Sequence, residues 1–262
     1  MPLSSSSVLD DTGKPIKVDS LGLPVTHSGE FFDHMAVVKA EAIYTASGGG
    51  QMLFSTEQSL PVMPGWLRYN RLRARAAKGV GVGPVVVAVS FAGGKVFGDL
   101  PPHEAFPIGG TNSVRGYDEG AVGSGRDYVV GSAELQVPLV QPLEGVVFVD
   151  VGSDLGTGTM VQGNPAGARG KPGTGHGAGV GVRVDTPIGP LRLELAWNDH
   201  GKARTVSSLT AERAKLQMGS LGMLRFCSVV YTDAFLFFNS ISASASGFDS
   251  CSEYARSLRV SE

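Results

Sequence analysis

About eight segments of this chain alternate apolar and polar residues with a period of two, and no other feature limits its fold as tightly. Period-two alternation places successive side chains on opposite faces of an extended strand. In residues 34–45, Ala36, Val38, Ala40, Ala42 and Tyr44 share one face, opposite Lys39 and Glu41. Ser47-Gly48-Gly49-Gly50 turns the chain, and residues 51–58 run back with Met52 and Phe54 opposite Gln51, Ser55 and Glu57, Leu53 being out of step. A strand pair joined by a glycine turn reads as a hairpin. Residues 68–77 set Arg71, Arg73 and Arg75 against Leu72, Ala74 and Ala76, and residues 84–92 are Val-rich. Residues 128–138, 143–152, 175–185 and 190–198 repeat the alternation. The arginine row suits either a solvated face of a soluble sheet or the polar lumen of a barrel, and alternation alone leaves both open.

Strands of about ten residues with one apolar face, joined alternately by short turns and long loops, are the pattern of a transmembrane β-barrel. A soluble sandwich alternates too, but with shorter strands. Tyr44 and Trp197 fall at strand ends on the apolar face, where aromatic girdles sit. No run of apolar residues is long enough for a membrane-crossing helix, and the first residues carry neither a basic nor an apolar leader region. The formal charge of −2 gives no electrostatic footprint for nucleic acid. Two cysteines, Cys227 and Cys251, make no disulfide framework.

Between two of the strand-like runs lies F-P-I-G-G-T-N-S-V-R-G-Y-D-E-G-A-V-G-S-G at 106–125. Irregular segments this long are usually functional or disordered. This one carries Phe106, Ile108, Val114 and Tyr117 among singly placed glycines, which argues for a loop folded back onto something that encloses it. Arg115 is the one cation near its middle. Asp150 would point to the polar side of its strand, and a buried carboxylate needs a partner. Either the two pair through directional hydrogen bonds, or Arg115 is solvated and Asp150 ends a strand. A second Gly/Pro-rich loop occupies 154–174. Beyond Arg204, residues 205–218 have helix-favouring composition with Ser207 or Ser208 as a cap, residues 226–238 form an apolar patch, and 240–252 are Ser/Ala-rich. None of these continues the alternation.

Enzyme constellations are missing. His103-Glu104 has no second histidine at zinc-protease spacing, and Gly170-Lys171-Pro172 lacks the rest of a phosphate loop. The expectation is no enzyme, no metal and no cofactor.

Four stretches resemble a known family. Val114-Arg115-Gly116-Tyr117, V-F-V-D-V-G at 147–152, F-P-I-G-G at 106–110 and G-V-G-V-R-V-D-T-P-I-G-P-L-R-L-E at 179–194 are similar to the barrel domain of the BamA/Sam/Toc superfamily of outer-membrane assembly factors, the bacterial surface antigen barrel domain. The surrounding text looks like its plastid branch, and the resemblance runs over residues 27–204. It implies an all-β fold, an antiparallel meander forming the C-terminal half of a transmembrane β-barrel (about eight strands of roughly sixteen), with a divergent, partly helical or disordered tail. The division expected is a polar segment at 1–30, the partial barrel at 31–204 with an inward loop at 98–127, and the tail at 205–262. The resemblance further implies that the loop tip, Val114-Arg115-Gly116-Tyr117, sits in the lumen and meets an acidic strand residue, here Asp150, with Gly109, Gly110 and Gly152 in support. Its activity would be insertion or translocation of proteins at the plastid (chloroplast) outer envelope. The partners implied are the lipid bilayer, unfolded β-barrel precursors, and another barrel subunit or a second copy of the chain. The family's soluble N-terminal domains, first barrel half and final strand have no counterpart in the text, so a truncated, non-transporting accessory half-barrel is the alternative. A soluble ligand-binding β-domain is the remoter one.

Overall fold

The alternating runs pair side by side into one antiparallel sheet. The structure is a computed structural model, and it describes residues 8–9, 13–19, 21–186, 189–209, 223–232 and 235–243. Two short strands, β1 (Val8–Leu9) and β2 (Pro15–Ile16), pair near the start. The eight runs are β3 (Ala36–Thr45), β4 (Gln51–Leu60), β5 (Tyr69–Val82), β6 (Val85–Gly98), β9 (Asp127–Val140), β10 (Leu143–Ser153), β11 (Thr174–Thr186) and β12 (Gly189–Asn198). Between β6 and β9 the loop makes its own small hairpin, β7 (Phe106–Ile108) with β8 (Gly123–Gly125).

After β12 the structure departs from the sequence reading. Ala203–Leu209 is a strand, β13, paired with β12 from Trp197↔Ala203 to Leu191↔Leu209. The helix-favouring composition at 205–218 therefore does not decide residues 205–209, and 210–218 lie outside the described residues. The free edge of β12 presents a row of backbone donors and acceptors, and Thr205 and Val206 are β-branched. Sheet pairing then outweighs a helix preference worth only tenths of a kcal/mol per residue. The apolar patch does not stand outside the sheet either. β14 (Met223–Thr232) and β15 (Phe235–Ala243) form a hairpin, and β14 pairs antiparallel with β3. Asp233 and residues 244–252 lie outside the described residues.

The sheet order is β13-β12-β11-β10-β9-β6-β5-β4-β3-β14-β15. Among the described residues no pairing joins β13 to β15, so the sheet is not closed. Tight connections at 46–50, 83–84 and 141–142 lie at one end. The long connections at 61–68, 99–126 and 154–173 lie at the other.

The two faces have opposite chemistry. Phe54, Leu72, Phe91, Val149 and Leu193 lie open on the outer face. Ser55, Glu57, Arg71, Asp150 and Glu194 are buried on the inner one. A soluble sheet buries its apolar side, and contiguous exposed apolar surface on this scale marks a membrane or an interaction surface. An apolar outside with a polar inside is the arrangement of a membrane barrel wall. Tyr44 is exposed at the tight-turn rim and Trp197 at the long-loop rim of that outer face. The arginine row of β5 faces inward.

The start of the chain reads as loop, and the described part of it packs over the long-loop end. The Asp33 carboxylate accepts the backbone N–H groups of His27 (2.7 Å) and Ser28 (2.9 Å). Met35 joins Leu67, Tyr69, Leu100, Phe106 and Val161 in one apolar cluster beneath that end.

Candidate functional site

Residues 99–126 fold back against the inner face, and apolar contact takes them there. Ile108, Val114, Tyr117 and Val122 form a buried cluster with Val130 of β9. Gly152 on β10 is the gap that admits them: a Cβ there would fall 2.6 Å from a Val114 methyl and 2.8 Å from an Ile108 methyl. Gly109 and Gly110 turn the chain just before the tip, where Gly109 N–H donates to Ser113 Oγ (3.2 Å) and Gly110 N–H to Val114 O (3.2 Å).

The tip delivers Arg115 into a socket made by three strands. Nε and Nη2 donate to the two oxygens of Asp150 on β10, at 2.6 and 2.7 Å. Nη1 donates to Glu134 Oε1 on β9 at 2.7 Å and to Glu194 Oε1 on β12 at 3.3 Å. Nη2 also donates to Ser132 Oγ on β9 at 3.1 Å. A guanidinium has five N–H donors, and these contacts use all of them. The Arg115 backbone N–H adds a bond to Asp150 Oδ2 at 3.1 Å. The guanidinium carbon stands 3.5 Å from the centroid of the Phe148 ring, a cation–π contact. Burial opposes the charge on Arg115, but its hydrogen bond to Asp150 and the charges of Asp150, Glu134 and Glu194 outweigh it, so the proton is held more firmly than usual. Asp150 is inaccessible to solvent. Arg183 on β11 donates to Glu134 Oε2 at 3.3 Å, and Arg192 is its register neighbour on β12. The two nearby guanidinium groups offset the surplus of carboxylates around Arg115.

The rest of the tip is held by β11, β12 and β13. Gly175, Gly177 and Gly179 present bare backbone on the inner side of β11. A Cβ at Gly177 would lie 2.0 Å from Arg115 O, and one at Gly175 would lie about 3 Å from the Tyr117 ring. Gly116 takes φ +94° and packs against the backbone of Trp197 and Asn198. Its carbonyl accepts Asn198 Nδ2 at 3.2 Å. The Tyr117 hydroxyl donates to Asp199, and its carbonyl accepts Arg204 Nη1. Arg204 also pairs with Asp118 at 3.1 Å. The second long loop closes over the first, with Gly173 N–H donating to Val122 O at 2.8 Å and Lys171 Nζ to Ser124 Oγ at 3.3 Å.

The structure thus brings Val114, Arg115, Gly116, Tyr117, Asp150 and Gly152 together and places Gly109 and Gly110 in the turn that leads in. Sequence reasoning did not single out Ser132, Glu134, Phe148 or Glu194. Glu134 and Glu194 were visible only as members of the polar faces of their strands. The β11 glycines had a readable signal: they recur every second residue on the face opposite Ala178, Val180 and Val182. On the tight-turn side of the socket a cavity of about 230 Å³ is lined in part by Gln51, Lys78, Ser90, Ser132 and Glu134. Among the described residues no group of three or more His, Cys, Asp or Glu side chains is placed to hold a metal ion.

An Omp85 superfamily domain matches residues 40–219. The chain belongs to the Omp85 superfamily. It is 56% identical over 198 residues to outer envelope protein 80, chloroplastic, of Arabidopsis thaliana, a match covering 74% of this chain and 27% of that protein. It is 33% identical over 193 residues to protein TOC75-3, chloroplastic, of the same plant, a match covering 67% of this chain and 23% of that protein.

 The chain therefore spans about a quarter of the length of each of these relatives. Among solved structures, BamA from Haemophilus ducreyi lacking POTRA domains 1–3 matches at 17% identity with a TM-score of 0.48, over 64% of this chain and 40% of that one. Omp85 proteins are membrane components for protein assembly and translocation, and the plastid members form a barrel family of import and insertion. The relatives are named as chloroplast outer-envelope proteins, and the plastid outer envelope is the membrane to which this chain belongs.

Proposed function

We propose that this chain supplies the loop-bearing wall of a plastid outer-envelope barrel that inserts unfolded β-barrel precursors into that membrane or passes proteins across it. The observation that carries the reading is the Arg115 socket. A loop of this length is fixed inside an apolar-walled sheet by five charge-assisted or polar contacts to β9, β10 and β12. In this reading the seated loop holds those strands in one register while the lipid-facing wall receives the precursor, and the work is mechanical, needing neither nucleotide nor metal. Arg115, Gly116 and Tyr117 are the loop residues that seat it, and Asp150 is their acidic partner.

The test uses the full chain folded into vesicles of plastid-envelope lipids, with an unfolded β-barrel precursor added and its protease-protected, folded form followed over time. The wild-type chain accelerates precursor folding over empty vesicles. Arg115→Ala and Asp150→Asn each lower that acceleration at least about tenfold, as expected when a buried ion pair loses one partner. Vesicles holding the folded wild-type chain that insert precursor no faster than empty ones would refute the reading.

One observation favours a second reading, an accessory half-barrel. Among the described residues β13 and β15 are unpaired at their outer edges, and hydrocarbon does not tolerate unpaired strand edges. A chain of this kind would complete itself on another barrel or a second copy. It would then leave insertion unstimulated on its own and migrate in native gels as a larger assembly.

A further inference from the structure

The tip of the inward loop is anchored to β9, β10 and β12, and its base rests on a different wall. Glu104, in the 3-10 turn Pro102–Glu104, places Oε2 2.5 Å from Arg71 Nη1 on β5. Arg71 is only 8% exposed, and its guanidinium carbon also stands 4.5 Å from the centroid of the Phe106 ring. Gly94 on β6 leaves that ring its place, since a Cβ there would fall 2.9 Å from Phe106 Cζ. The wall offers Arg71 another carboxylate, Glu57, directly across the β4–β5 register. Glu57 lies 3.6 Å away, however, and it is engaged more closely by Arg73 at 2.9 Å. A desolvated guanidinium needs a close carboxylate, and the loop is what supplies it.

We propose that Arg71 is a second positioning residue of the inward loop: through Glu104 and Phe106 it pins the loop's base to β4–β5, while Arg115 pins the tip to β9, β10 and β12. The loop is then a strut between two parts of the sheet rather than a plug held at one point. Loss of the base latch frees the residues around Phe106 and leaves the tip seated. With the loop released, Glu57 is the nearest carboxylate left to Arg71, so the cation has a second resting place one strand away. The inference deepens the proposed function and rests on the reading that the seated loop matters there, but the latch itself is measured without any insertion assay.

The experiment is amide hydrogen exchange of the full chain folded in detergent micelles, read by mass spectrometry around Phe106, with limited tryptic digestion of the same samples alongside. Phe106 is 3% exposed, it and Ile108 pair with Gly125 and Gly123 in the β7–β8 hairpin, and their amides exchange slowly in the wild type. Arg71→Ala and Glu104→Ala each raise that rate about tenfold, the effect of losing one charge-assisted hydrogen bond. Tryptic cleavage after Arg115 stays at its wild-type rate in both. The double reversal Arg71→Glu with Glu104→Arg restores protection of Phe106, and neither single reversal does, which a merely structural role for either side chain would not produce. Should Arg71→Ala fail to fold, Glu104→Ala removes the same ion pair from the loop side. Unchanged amide exchange around Phe106 in folded Glu104→Ala overturns the proposal, as does a double reversal no better protected than the single ones. A Glu104→Ala chain that exposes Phe106 yet inserts precursor at the wild-type rate leaves the latch standing and counts against the insertion reading instead.

Discussion

Arg115 uses every N–H group of its guanidinium, and this sets what can replace it. Lysine keeps the charge but has three donors around a point, without the planar fork that grips Asp150 through both oxygens. Arg115→Lys is expected to keep the chain foldable while loosening the tip. The measurement is the temperature at which the compact, detergent-resistant band is lost on a semi-native gel, and it falls by several degrees. Arg115→Ala leaves Asp150 buried without its cation and destabilises the folded state by about 3–5 kcal/mol. Asp150→Asn is expected to be milder than Arg115→Ala, because it removes charge and keeps the shape. Equal melting temperatures for the wild type and Arg115→Lys would show that the fork geometry does not matter.

At the scale of the element, β11 shows both what the sequence discloses and what it withholds. Its alternation of valine with glycine marked a strand, and all eight alternating runs are strands, because a strand with one apolar face carries its own period. The purpose of the glycines was not visible, since it depends on a loop some sixty residues earlier in the chain. Arg115 and Asp150 could be suspected as a pair because each is conspicuous alone, a lone cation in a glycine-rich loop and a carboxylate inside an apolar strand. Glu134 and Glu194 look like any polar-face residue until the sheet curves them toward the same guanidinium. Residues 205–209 were misleading for the opposite reason, local composition being overruled by the free edge of β12. A branched side chain at Gly177 collides with the backbone of Arg115. Gly177→Val is therefore expected to lift the tip while leaving β11 paired, since valine suits a strand. Trypsin then cuts after Arg115 at least about tenfold faster than in the wild type, the scale of overpacking a close contact by 1–3 kcal/mol, and the circular dichroism of the sheet is retained.

The molecule as a whole is inside out relative to a soluble β-protein, and that inversion has a direct energetic consequence. Val149 on β10 is 55% exposed on the outer face, while its neighbour Asp150 is buried on the inner one. If the outer face meets hydrocarbon, a charge there must be desolvated without a partner. Val149→Arg is then expected to weaken folding into lipid vesicles by about 2–4 kcal/mol near the middle of the bilayer. The same change in a soluble sheet would put an arginine into water at almost no cost. Arg75, an exposed member of the inward-facing row of β5, is the matched control, because Arg75→Gln alters charge on the side that lipid does not reach. The measurement is the fraction of chain folded in vesicles across a urea series, read by protease protection. A loss confined to Val149→Arg places lipid on the outer face. Equal behaviour of the two variants would place water there, and the outer face would not be a membrane wall.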